Sequence, residues 1–175
     1  GVVYNPDGVI PREMVQVRLQ GGGFSDAVVT GPDGAFLFDG LPLFTSYGYP
    51  ISYRLEAYAD GRLSATGAYT GGMLRAQAEN LILETNGQIL TRNLDLVGLG
   101  IVQGRVTFDG SSAGDMPVTL WSLNQDFGQT VAVRTDAAGY YRIERVPVGE
   151  FTLSSGDPEL QLLGEGDGAI AADGD

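Results

Sequence analysis

The residues of this chain that could do chemistry are carboxylates and aromatic rings. The densest carboxylate cluster is GEGDGAIAADGD, residues 164–175, which offers Glu165, Asp167, Asp173 and Asp175. Hard oxygen donors of this kind suit calcium, which needs no imidazole or thiolate. EF-hand spacing is absent, and the simpler reading is a pair of glycine turns around a short strand, AIAA. Asp7, Asp33 and Asp109 read as turn residues. The aromatic candidates are a loop with Phe44, Tyr47, Tyr49 and Tyr53, and the lone Trp121. Flat rings beside polar groups can stack on sugars. Tyr47, Tyr49 and Trp121 are therefore candidates for glycan contact, and equally for packing against an adjacent domain or covering an irregular sheet edge. Paired carboxylates can cleave glycosides, but only across a cleft that fixes their separation. Glu56, Glu79, Glu84, Glu144 and Glu150 read instead as solvated faces of strands.

What is missing narrows the chemistry further. The chain has no histidine, no cysteine and no lysine; all 10 of its basic residues are arginine. Imidazole general bases, Ser-His and Cys-His pairs, thiolate metal sites and disulfides are excluded with them. The reading is of a non-enzyme without a cofactor, calcium being the one ion the composition admits. A net charge of −12 repels polyanions, which excludes nucleic acid as a partner and disfavours anionic membranes. No stretch approaches the length of a membrane span. Gly1 opens directly on a strand-like segment, so any targeting signal is expected outside this sequence.

The elements that hold these residues come in two copies. TGPDGAFLFDGLP (residues 30–42) aligns with TDAAGYYRIERVP (residues 135–147) at a constant offset of 105. Thr30 matches Thr135, Gly34 matches Gly139, Phe38 matches Ile143 and Pro42 matches Pro147. Upstream, GVVYNPDG from Gly1 matches GRVTFDG from Gly104, and VQVRL from Val15 matches MPVTL from Met116. The offsets drift between these blocks, as they do when strands are kept and loops vary.

Period-two alternation marks the strands. Val15, Val17 and Leu19 face one way and Gln16 and Arg18 the other, and Met116, Val118 and Leu120 repeat the pattern. Phe36 and Phe38, like Tyr141 and Ile143, alternate in the same sense and predict strands in both copies. Asp-Gly turns at 7–8, 33–34, 60–61 and 109–110, and DAAG at 136–139, supply the left-handed glycine of tight hairpins. MLRAQAENLILE, residues 73–84, is the one segment with helical spacing, and its β neighbours and lack of caps favour a strand. The fold predicted is all-β: two tandem Greek-key β-sandwiches, residues 1–97 and 98–175, meeting near VGLG at 97–100. So short a junction makes a semi-rigid array. The first copy reads as having its full set of strands. The second ends before any counterpart of LTRNLDLV (residues 90–97), so its last strand is expected from the next segment of a longer chain or from another subunit.

The pattern GxV…DG…VxVxL…TxxxGxFxF…LP, present in both copies and followed in the second by VPVGEFTL, resembles the carboxypeptidase-regulatory-like and Cna-B-like (transthyretin-like) β-sandwich repeats of bacterial surface and secreted proteins. The resemblance covers nearly the whole chain. It implies a structural or adhesive module, extracellular or at the cell surface, that spaces, presents or polymerises, with neighbouring repeats or identical subunits as partners. The alternative is a carbohydrate- or calcium-dependent binding module, with a glycan or protein ligand, attached to a secreted enzyme. Many Cna-B-like domains carry a lysine isopeptide cross-link, and a chain without lysine cannot form one.

Overall fold

In a computed structural model, residues 1–60, 73–157 and 162–174 are described. They are all-β, with no helix among them. The chain divides into two compact units, one of Gly1–Gly61 with Met73–Val97 and one built on Gly98–Asp175.

The first unit contains β1 (Val3–Tyr4), β2 (Gln16–Gly21), β3 (Phe24–Val29), β4 (Ser52–Asp60), β5 (Met73–Ile82) and β6 (Leu94–Asp95). Its main sheet has the order β3-β2-β4-β5, all antiparallel. The opposing layer pairs β1 in parallel with β6, through the Leu94 amide on the Val2 carbonyl and the Leu96 amide on the Tyr4 carbonyl, both at 3.0 Å. Alternation decides the core: Val15, Val17 and Leu19 point inward with Leu55, Ala57, Leu74, Ala76, Leu94 and Leu96, all buried. Residues 73–82 of the segment with helical spacing are strand β5, because β4 offers a ladder from Ser52 to Asp60 with one register shift between Tyr53 and Leu55.

The second unit contains β7 (Leu99–Arg105), β8 (Thr107–Phe108), β9 (Ser111–Ser112), β10 (Pro117–Ser122), β11 (Thr130–Arg134), β12 (Tyr140–Pro147), β13 (Gly149–Asp157) and β14 (Leu162–Ile170). Its main sheet, β11-β10-β13-β14, repeats the order of the first. The opposing layer pairs β7 with β12, and Val102, Val118, Leu120, Ile143, Val146, Phe151 and Ile170 close the core between them.

The duplication extends to single hydrogen bonds. The buried Thr30 hydroxyl accepts from the Val15 amide (3.0 Å) and donates to the Arg12 carbonyl (2.8 Å). The buried Thr135 hydroxyl accepts from the Met116 amide (2.9 Å) and donates to the Ala113 carbonyl (2.7 Å). Thr30 thus staples the turn before β2 to the end of β3, and Thr135 the turn before β10 to the end of β11. Met14 and Asp115, at the same place in the two staples, are both left-handed, with φ of 58° and 60°. Replacing Thr135 with Val takes the hydroxyl partner from the part-buried Met116 amide and Ala113 carbonyl, and the expected loss is about 1 kcal/mol by chemical denaturation. Thr135→Ser keeps both bonds and is expected to lose less than half as much.

Two expectations are corrected. Residues 36–42 are not a strand: after an isolated bridge between Val2 and Ala35, the segment has no ladder. Its counterpart β12 pairs with Leu99–Arg105, whereas beyond the bridge this segment keeps only two backbone bonds, the Phe36 amide on the Gly1 carbonyl and the Gly1 nitrogen on the Phe36 carbonyl, both at 2.9 Å. The first of the two glycine turns expected around AIAA is instead strand: GEGDGAI, residues 164–170, belongs to β14, paired residue for residue with β13 from Gly149↔Ile170 to Asp157↔Leu162, and only the second turn, at 172–174, is found. The glycines at 164, 166 and 168 lie on the strand's inner face, and a Cβ on Gly168 would stand 2.7 Å from the Phe151 ring. At Gly168 that room is taken by the Phe151 ring, whereas nothing lies within 4 Å of a Cβ on Gly166. In the second unit, β7 pairs with β12 alone among the described residues, and no counterpart of β6 lies beside it.

Candidate functional site

The sequence candidates are scattered by the fold. Glu165 and Asp167 sit on the outer face of β14, opposite Ser154 and Thr152 of β13, and both are exposed. Asp173 lies past the end of the strand, where its Oδ1 accepts the Leu99 amide at 2.8 Å and the following Gly174 amide reaches the Leu99 carbonyl at 3.0 Å. Its carboxylate is a clip that fixes the head of β7. Asp175 lies outside the described residues. No group of three acidic side chains is brought together among the described residues.

Tyr47 and Tyr49 project from the loop after Pro42 and are 85% and 70% exposed. A turn closed by the Thr45 amide on the Tyr49 carbonyl (2.8 Å) and the Gly48 amide on the Thr45 carbonyl (2.9 Å) holds them out. Tyr53 belongs to the core instead. It is 2% exposed, stacks edge-on against Phe24 at 6.2 Å and donates its hydroxyl to the Pro42 carbonyl at 2.6 Å. Burial raises its pKa above 10.0. Trp121 lies in the second unit on the outer face of β10, between buried Leu120 and Ser122, as its alternation requires.

The carboxylates on strands serve the surface. Glu56 pairs with Arg54 at 2.9 Å, Glu79 with the same guanidinium at 3.4 Å, and Glu144 with Arg142 at 2.9 Å. Exposed pairs of this type contribute little to stability. Asp7 caps its own turn: Oδ1 accepts the Val9 amide at 2.9 Å and the Ile10 amide at 3.0 Å, and those bonds, that of Ile10 foremost, hold its pKa below 3.8. A depressed acid contributes to folding above its unfolded value and loses that contribution as the pH falls through the lower folded value. The Val9 and Ile10 amide shifts are expected to titrate together below pH 3.8, and Asp7→Asn should abolish that step.

One concavity was not legible from residue types. It lies in the first unit, between the irregular segment 36–43 and the segment 83–90, with a volume of about 350 Å³. Phe38, Leu41, Leu43, Leu55, Leu81 and Leu90 give it an apolar wall, and Asp39 and Arg92 also line it.

No family model matches the chain, and no curated protein does. Among solved structures it is similar to the Bacillus anthracis TIE protein, with 13% identity over 99% of this chain and 31% of that one, at a TM-score of 0.38. It is similar to a streptococcal ancillary pilin, with 15% identity over 98% of this chain and 57% of that one, at a TM-score of 0.44. A third likeness is to the shaft pilin SpaA from Lactobacillus rhamnosus GG, with 8% identity over 99% of this chain and 92% of that one, at a TM-score of 0.32. The chain thus spans 31% and 57% of the length of the first two.

Proposed function

We propose that this chain is a non-catalytic structural module of an extracellular or cell-surface protein, whose sandwich units space, present or polymerise what is joined to them. The duplication carries this reading. Strand order, the threonine staple and the left-handed turn glycines Gly34 and Gly139 recur in both units, whereas the loops between them differ. What is repeated is framework, and stacked framework is what a stalk or spacer requires. Only three residues, Leu96–Gly98, separate β6 from β7. The finer reading is that identical subunits or neighbouring repeats add strands to open edges. In the second unit the edge at Arg105–Thr107 is the counterpart of the one β6 covers in the first.

Electron microscopy and sedimentation equilibrium of the purified protein test the reading. End-to-end oligomers or filaments are the expected result. A strictly monomeric protein that binds a glycan on an array, or calcium by calorimetry at Glu165 and Asp167, would replace it with a binding module.

A further inference from the structure

The two units turn the same framework to solvent with different side chains. In the first unit the outer face of the main sheet is closed on itself. Arg54 donates to Gln77 at 2.8 Å and pairs with Glu56 at 2.9 Å and Glu79 at 3.4 Å, while the Tyr58 hydroxyl donates to Glu56 at 2.8 Å. The second unit has the same strand order and turns out a different set. Trp121 stands where Gln20 stands in the first, with Thr130 of β11 on one side, Thr152 of β13 on the other, and Asp167 of β14 beyond Thr152. The parallel row is Ala132, Thr119, Ser154 and Glu165.

Among the described residues, the side chains of Thr119, Thr130, Thr152, Ser154, Glu165 and Asp167 make no hydrogen bond and no ion pair. Trp121 is 39% exposed, and Thr130, Glu165 and Asp167 are exposed on the same face. An indole offers a flat apolar surface to the C–H face of a sugar ring, and hydroxyls beside it can both donate and accept. With strands about 4.8 Å apart, the row from Trp121 across Thr152 to Asp167 spans roughly 10 Å, enough for two linked sugar rings. Both β10 and β13 are paired on each side, so the row is held rigid before any ligand arrives.

Charge then selects the sugar. Neither row contains a cation, and Arg134, the arginine of β11, is paired with Asp115 at 3.1 Å. Acidic sugars are repelled, whereas a protonated amine gains a charge-assisted bond to either carboxylate. A basic peptide would satisfy the carboxylates and leave the hydroxyls unused.

We infer that this face binds an amino-sugar polysaccharide. Trp121 stacks on one ring, Thr130 and Thr152 hydrogen-bond its hydroxyls, and Asp167 with Glu165 holds the ammonium group of the next. This ligand face goes beyond the structural role proposed above, and its test reads single chains, so its failure and a failure to form filaments are distinguishable.

Trp121 is the chain's lone tryptophan, so its emission reports on this face directly. Titration with a β-1,4-linked glucosamine hexasaccharide is expected to give a saturable change in that emission, with the N-acetylated hexasaccharide binding at least ten-fold more weakly. By calorimetry, Trp121→Ala should weaken binding at least ten-fold. The double variant Glu165→Gln and Asp167→Asn, which keeps the shape of two exposed side chains, should weaken it at least five-fold. The assignment is overturned by no saturable change, by unchanged affinity in either variant, or by equal affinity for the N-acetylated sugar or for hexalysine.

Discussion

Gly139→Ala is expected to destabilise the second unit by about 3 kcal/mol, which in a unit of this size lowers its melting temperature by roughly 15 °C. Two costs add. Gly139 has a φ of 82°, and an L-residue held in the left-handed region loses about 1 kcal/mol. A Cβ built there lies 2.6 Å from the Val106 carbonyl oxygen. That oxygen cannot retreat freely, because the Val106 amide is bonded to the Gly139 carbonyl (2.9 Å) and its own carbonyl accepts the Ala113 amide (3.1 Å). The control is Gly110→Ala: its φ is 77°, but nothing lies within 4 Å of the new carbon, so only the conformational cost of about 1 kcal/mol remains. Calorimetric melting of both variants decides it, and equal losses would show that the contact with Val106 is relieved at no cost.

Leu120→Ala is expected to cost a similar amount, about 3 kcal/mol, by a different mechanism. Leu120 is 0% exposed and packed among Val102, Val118, Ile143, Val146 and Phe151, so its truncation leaves a cavity that surrounding strands cannot close. Leu123→Ala, at a site 53% exposed, should change stability by less than about 0.5 kcal/mol. The informative comparison is Leu19, which stands in the first unit where Leu120 stands in the second. Leu19 borders the open groove, so the space left by Leu19→Ala merges with an existing void and fewer contacts are lost. Its cost is expected to be about 1 kcal/mol smaller than that of Leu120→Ala, measured by chemical denaturation. Equal costs would mean that the groove is closed in solution.

Alternation and turn chemistry made most of the architecture legible. Val15, Val17 and Leu19 are inward as their spacing requires, and Gly8, Gly34, Gly110 and Gly139 are all left-handed. The failures have a common cause, which is that a strand is a property of a pair. Phe36 and Phe38 have the spacing of a strand, yet the segment makes no ladder beyond the isolated bridge of Val2 with Ala35. GEGDGAI has the composition of a turn, yet β13 draws it into register. The threonine staple was visible only as a matched pair, Thr30 and Thr135; the sequence holds no sign that each hydroxyl ties a turn to the end of a later strand, since its partners lie up to 22 residues away. The acidic candidates are dispersed for a related reason. Strand alternation keeps Glu165 and Asp167 on one face of β14, while Asp173 is committed to the Leu99 amide.

That placement of Glu165 and Asp167 bears on how the protein survives at high concentration. β14 closes one side of its sheet, and its outer backbone groups could template another chain. Glycines occupy its inner face, so the strand offers an approaching neighbour little apolar surface beyond Leu163, and two like charges flank the line along which that neighbour would have to lie. Carboxylates so placed on an edge strand are suited to act as gatekeepers against amyloid-like stacking. Turbidity on acidification should therefore set in earlier for a variant carrying Glu165→Gln and Asp167→Asn than for the parent chain.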